Sequence, residues 1–227
     1  MTQSIFPLIF LVMFISAHAF LRFTVPRIHH GFRMAKMSMS SHHPQVLVPV
    51  AHGSEEIETV TIVDTLVRAG CDITVASVEP QKELIMSRGV KLTADCFITE
   101  CDSAWDAVIL PGGMPGASSL KESNPLKELL HTAKDKKNWV GAICAAPAVV
   151  LAEHGFITDT DSATCYPADA FKAKIKNYSE DDVVVDEENK IVTSRGPATA
   201  MAFSIKLIEL LVSKEKADEI AAQMLLM

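Results

Sequence analysis

From Gln45 onward, short apolar runs alternate with longer stretches whose apolar positions recur at helical spacing. The run QVLVPVA (45–51) is apolar on both faces and predicts a fully buried strand. GSEEIETVTIVDTLVRAG (53–70) predicts a helix, with Ser54 as its cap, Glu55 and Glu56 as solvated acids in its positive first turn, and Gly70 at its end. DITVASVE (72–79) predicts a second strand, so these three segments form one β–α–β unit and favour a parallel sheet.

Residues 82–99 read as short strands around a turn at Arg88-Gly89. DAVILPGG (106–113) predicts a buried strand stopped by Pro-Gly-Gly, and 124–137 an amphipathic helix. WVGAI (139–143) then predicts a strand and 146–155 a helix, and 182–187 with 190–196 a strand pair. Two helices, about 197–212 and 214–225, close the chain. The alternation predicts a doubly wound α/β sandwich, in which functional groups gather at the carboxyl ends of the strands. That rule puts Gly53 to Glu58, Gly112-Gly113 and Cys144 on one rim.

Charge divides the chain unevenly. No Asp or Glu precedes Glu55, whereas Arg22, Arg27, Arg33 and Lys36 do, so the formal charge of −7 combines a basic leader with a more acidic body. Such a body argues against binding a phosphate backbone, and no nucleic-acid partner is expected. The leader reads as an address. IFPLIFLVMFISA (5–17) is too short to cross a bilayer comfortably and ends in the small-residue pattern Ala17-His18-Ala19. The stretch beginning at Phe20 is basic, rich in Ser and His, and free of acids. We expect a signal peptide over 1–19, a transit-like leader over 20–43 and one α/β domain over 44–227, with no membrane span in the mature chain. The two-part leader resembles those of plastid proteins; translation from Met34, Met37 or Met39 would instead leave a cytoplasmic protein.

Five cysteines, at 71, 96, 101, 144 and 165, show neither CxxC nor Cys/His ligand spacing. Neither a disulfide framework nor a metal site is expected, and reduced thiols suit a cytosol-like compartment. Neither a P-loop nor a GxGxxG fingerprint is present, so no nucleotide and no other cofactor is expected.

Cys144 ends a strand and opens a helix amid small residues, Gly141, Ala142, Ala145 and Ala146. A helix N-terminus can pull a thiol below its ordinary pKa of about 8.5, which would leave Cys144 ionised near neutrality. The same position also suits a cysteine packed as a small hydrophobe. Glu58, on the same rim, is either a carboxyl that exchanges a proton with that thiol or a solvated acid near a helix start. Gly112-Gly113 leaves backbone N–H groups room to face an oxyanion, although such pairs are also ordinary turns.

Taken together, GSEEIETV, ILPGGMPGA, GAICAAPAVVLA, TCYP and VTSRGPATAMAF resemble the ThiJ/PfpI superfamily, in the branch of the Parkinson-disease protein and its YajL-like and plant relatives. The resemblance covers about residues 45–225. It implies a flavodoxin-like fold, a homodimer, and Cys144 as an oxidation-prone nucleophile on a sharp elbow with Glu58 bonded to it. It further implies Gly112, Gly113 and Ala145 as oxyanion-binding backbone, and Arg88 with Arg195-Gly196-Pro197 at the dimer interface and pocket. Tyr166 stands where animal relatives carry histidine, which removes the obvious base of a peptidase. Cys165 reads as a second pocket thiol or a packed one, and His52 as structural or solvated. The activity implied is cofactor-free detoxification of small dicarbonyls or repair of glycated groups; the alternative is a redox-sensing chaperone.

Overall fold

The computed structural model describes residues 43–102 and 104–226; the expected signal peptide and all of the transit-like segment except His43 lie outside them. In chain order the strands are β1 (Gln45–Val50), β2 (Asp72–Ser77), β3 (Glu83–Ile85), β4 (Lys91–Thr93), β5 (Cys96–Phe97), β6 (Ala107–Leu110), β7 (Trp139–Ile143), β8 (Ser162–Ala163), β9 (Asn177–Tyr178), β10 (Val183–Asp186) and β11 (Ile191–Ser194). The helices are α1 (Glu56–Arg68), α2 (Gly116–Glu122), α3 (Asn124–Asp135), α4 (Asp169–Lys172), α5 (Ala200–Leu211) and α6 (Lys214–Gln223).

The main sheet runs β10-β11-β7-β6-β1-β2-β5 and is parallel except for the antiparallel edge pair β10–β11. Its five central strands, β2-β1-β6-β7-β11, follow the flavodoxin-like order, whose switch point falls between β1 and β6. The doubly wound architecture is therefore the one expected.

Every residue of β1 after Gln45 is buried, yet the pleat divides them between two cores. Val46, Val48 and Val50 meet Ile62 and Leu66 of α1 and Phe203 and Leu207 of α5. Leu47 joins Leu120 of α2 and Leu126 and Leu130 of α3 on the opposite face. Burial on both faces explains why β1 and β6 carry continuous apolar runs rather than alternating ones.

Two local expectations are corrected. The N-cap of α1 is Glu55, whose side chain accepts from Glu58 N at 2.8 Å. Ser54 turns back to accept from Ala51 N at 3.0 Å. The helix expected over 146–155 is a single wide π turn, Pro147–Leu151, where Ala152 N donates to Pro147 O at 2.9 Å.

Candidate active site

Three strand ends build one site around the switch point. After β7 the chain reverses sharply at Cys144, a non-glycine residue in the left-handed region with φ 64°. Both backbone polar groups of Cys144 are anchored: its N–H donates to Ser194 O at 2.9 Å, and its carbonyl accepts from Tyr166 N at 2.7 Å. Such over-determination holds a strained residue in place. After β6, Gly112 passes so close that a Cβ on it would sit 2.6 Å from Cys144 Cβ, and Gly113 takes φ 86°. Only glycine fits the first position, and the second is strained for any side chain. After β1, the loop delivers Glu58 in the first turn of α1.

Glu58 is fully buried. Its Oε2 accepts from Gly112 N at 2.8 Å, while Oε1 has no hydrogen-bond partner of ordinary length. Beyond Gly112, the carboxyl interacts with the Cys144 thiol and with the charge of Glu55. This corrects the expectation for Gly112: its N–H is committed to positioning Glu58 and is not free for an oxyanion. The N–H groups of Gly113 and Ala145 are the ones directed at sulfur.

Burial pushes Glu58 up from 4.5 to about 7, against the opposing pull of the Gly112 and Cys144 hydrogen bonds. Cys144 is pushed up to about 12, first by burial and then by the charge of Glu58; the Gly113 and Ala145 amides only partly offset this. A resting thiolate is therefore not what this environment favours, contrary to the sequence expectation. The cause is visible in the fold, because Cys144 is largely buried and lies beside the Glu58 carboxyl. The two groups are coupled, and an ionised Glu58 keeps the sulfur protonated.

A pocket of about 250 Å³ opens over the sulfur. It brings together Arg88, Gly113, Cys144, Ala145 and Tyr166, with Glu58 and Gly112 packed behind them. Arg88 arrives on the β3–β4 hairpin, where its N–H donates to Glu56 Oε1 at 2.7 Å and its guanidinium donates to Ser87 Oγ at 2.6 Å. Glu55 and Glu56, expected to be solvated, are both buried at 7% exposure because one caps α1 and the other holds this hairpin.

Residues 44–210 match the DJ-1/PfpI family. The chain belongs to the DJ-1/PfpI family. Protein DJ-1 homolog B of Arabidopsis thaliana is 41% identical over 191 residues, 83% of this chain and 43% of its own length. The chain thus spans about half the length of the curated plant relatives it matches. A Caenorhabditis elegans protein named glutathione-independent glyoxalase DJR-1.2 is 34% identical over 77% of this chain and 91% of its own. The structure of oxidized Toxoplasma gondii DJ-1 is 47% identical, with a TM-score of 0.76 over 80% of this chain and 98% of that one.

Cys165, Arg195 and His52 of this DJ-1/PfpI chain do not line the pocket. Cys165 is fully buried, does not line the pocket, and has its thiol pushed up to about 11 by burial. Arg195 pairs with Glu180 at 3.4 Å, leaving Pro197 as the part of its corner that reaches the pocket. His52 accepts from Ile85 N at 3.0 Å through Nδ1, tying the end of β1 to the hairpin. Glu55, Ser87, Met114 and Phe171 line the pocket without having been anticipated. An acid beside Ser54 signals a cap as much as a solvated surface, so Glu55 was within reach of the sequence. Phe171 rides on α4, a short helix with no sequence signal.

Proposed function

We propose that this chain is a cofactor-free cysteine enzyme of the glutathione-independent glyoxalase type, converting methylglyoxal to lactate. The observation that carries the reading is the pairing of Cys144, at the floor of a small pocket, with a buried carboxyl held near pH 7. A group with that pKa can both accept and return protons at neutral pH. The name of the C. elegans relative supports the same reaction class.

In this mechanism the Glu58 carboxylate takes the thiol proton as sulfur bonds to the aldehyde carbon, so no standing thiolate is required. The carbonyl oxygen becomes an alkoxide facing the Gly113 and Ala145 N–H groups, then takes a proton from Glu58 to give a hemithioacetal. Glu58, ionised again, removes the hydrogen from the former aldehyde carbon and returns it to the neighbouring carbon through an enediol. One carbon is oxidised and the next reduced, with no external oxidant. Water cleaves the resulting thioester, releasing lactate and the thiol. Repair of a glycated thiol or amine would begin with the same attack.

The test is lactate release from methylglyoxal without glutathione. Cys144→Ser is expected to lose at least about a thousandfold in kcat/KM; turnover as fast as wild type would refute the assignment. A second reading, a sensor whose Cys144 is oxidised to sulfinate, draws support from a relative whose structure is described as oxidized. Gain of two oxygens at Cys144 under mild peroxide, with negligible dicarbonyl turnover by wild type, would favour it.

A further inference from the structure

A pair of sulfur atoms meets outside the pocket over Cys144. Cys96 opens β5, the edge strand paired with β2, and the 3-10 turn Ile98–Glu100 folds the chain back on it. That turn is fixed by Phe97 N donating to Glu100 Oε2 at 2.8 Å and Cys101 N donating to Ile98 O at 3.2 Å. It brings Cys96 Sγ and Cys101 Sγ to 3.6 Å, about van der Waals contact. Both thiols are only partly buried, and both line a pocket of about 290 Å³ that shares no residue with the one over Cys144. Among the described residues no group of three or more His, Cys, Asp or Glu is arranged to hold a metal ion.

We propose that Cys96 and Cys101 form a separate redox site, closing to a reversible intramolecular disulfide when a hydroperoxide oxidises Cys96. The Cys96 sulfur attacks the peroxide; the O–O bond breaks, an S–O bond forms, and an alcohol or water leaves, giving a sulfenic acid. The Cys101 sulfur then attacks the Cys96 sulfur. The S–O bond breaks, the S–S bond forms, and the departing hydroxide takes the Cys101 proton to leave as water. Two thiols and one hydroperoxide give one disulfide, one alcohol and one water. Closing the bond brings the sulfurs from 3.6 Å to about 2.05 Å. Cys101 suits the second role. Burial first and its contact with Cys96 next push its thiol up to about 12, which makes it a poor first target for peroxide.

The test uses full-length chain carrying Cys144→Ser, reduced, exposed to a small excess of hydrogen peroxide, alkylated and digested with trypsin. The peptide Leu92 to Lys121 contains Cys96, Cys101 and no other cysteine. It is expected to lose two hydrogens, resist alkylation, and return to the doubly alkylated form after dithiothreitol. In wild type the same change is expected, because Cys144 and Cys165 fall on a different peptide. With Cys101→Ser, Cys96 is expected to stop at a sulfenic acid that dimedone traps. A peptide that remains doubly alkylated, gains oxygen without closing, or links two chains would overturn the proposal. None of these outcomes depends on dicarbonyl turnover, so this proposal and the glyoxalase reading can fail separately.

Discussion

Burial raises the folded-state carboxyl of Glu58 from 4.5 to about 7. Between those values the folded chain keeps a proton that the unfolded chain has released, so this residue lowers stability as pH rises through that window. Glu58→Gln carries no titrating proton. Its stability relative to wild type should therefore improve by about 3 kcal/mol between pH values below 4.5 and above 7, read from urea unfolding across that range. An offset that stays constant with pH would mean the carboxyl is not held neutral. The position of Glu58 beside Cys144 was legible in the sequence because both follow strands on the same rim. The raised thiol was not, because desolvation depends on what covers Sγ, and no local pattern reports that.

At the scale of elements, the turn after β7 carries the most consequential geometry. Cys144 sits at φ 64° with both backbone groups bonded to neighbouring segments, so the strain belongs to the turn rather than to its sulfur. Cys144→Gly should accordingly be more stable than Cys144→Ala by about 1 kcal/mol in denaturant unfolding, since only alanine keeps the Cβ that disfavours this conformation. Equal stabilities, or a more stable alanine variant, would place the strain elsewhere. Strands could be read from continuous apolar runs, as β1 and β6 illustrate, and long helices from periodicity, as α1 and α3 illustrate. The short helices could not. Gly116, Ser118 and Ser119 are weak helix formers, and α2 is held by the burial of Ala117 and Leu120. The wide turn after Cys144 escaped for the opposite reason: its apolar spacing is that of an ordinary helix, while its hydrogen bonds step one residue further.

Across the whole molecule, parallel strand order brings loops from β1, β6 and β7 to one place, although Glu58 and Cys144 are separated by more than eighty residues. Loop-to-loop bonds complete the alignment, as where Glu55 N donates to Gly112 O at 3.0 Å and Gly112 N returns a bond to Glu58. The fold was legible because β–α alternation admits few topologies. The pocket was legible only in part, since Ser87 and Arg88 reach it through the hairpin and Phe171 through α4. In the proposed mechanism proton transfer falls on this assembled pair, with the Glu58 carboxylate as the base and the sulfur protonated at rest. The most direct measurement is kcat/KM for glutathione-free conversion of methylglyoxal to lactate as a function of pH. A rise through a single ionisation centred near pH 7 is expected. A profile flat across neutrality, or one that climbs only above about pH 8 as a free thiol would ionise, would contradict it.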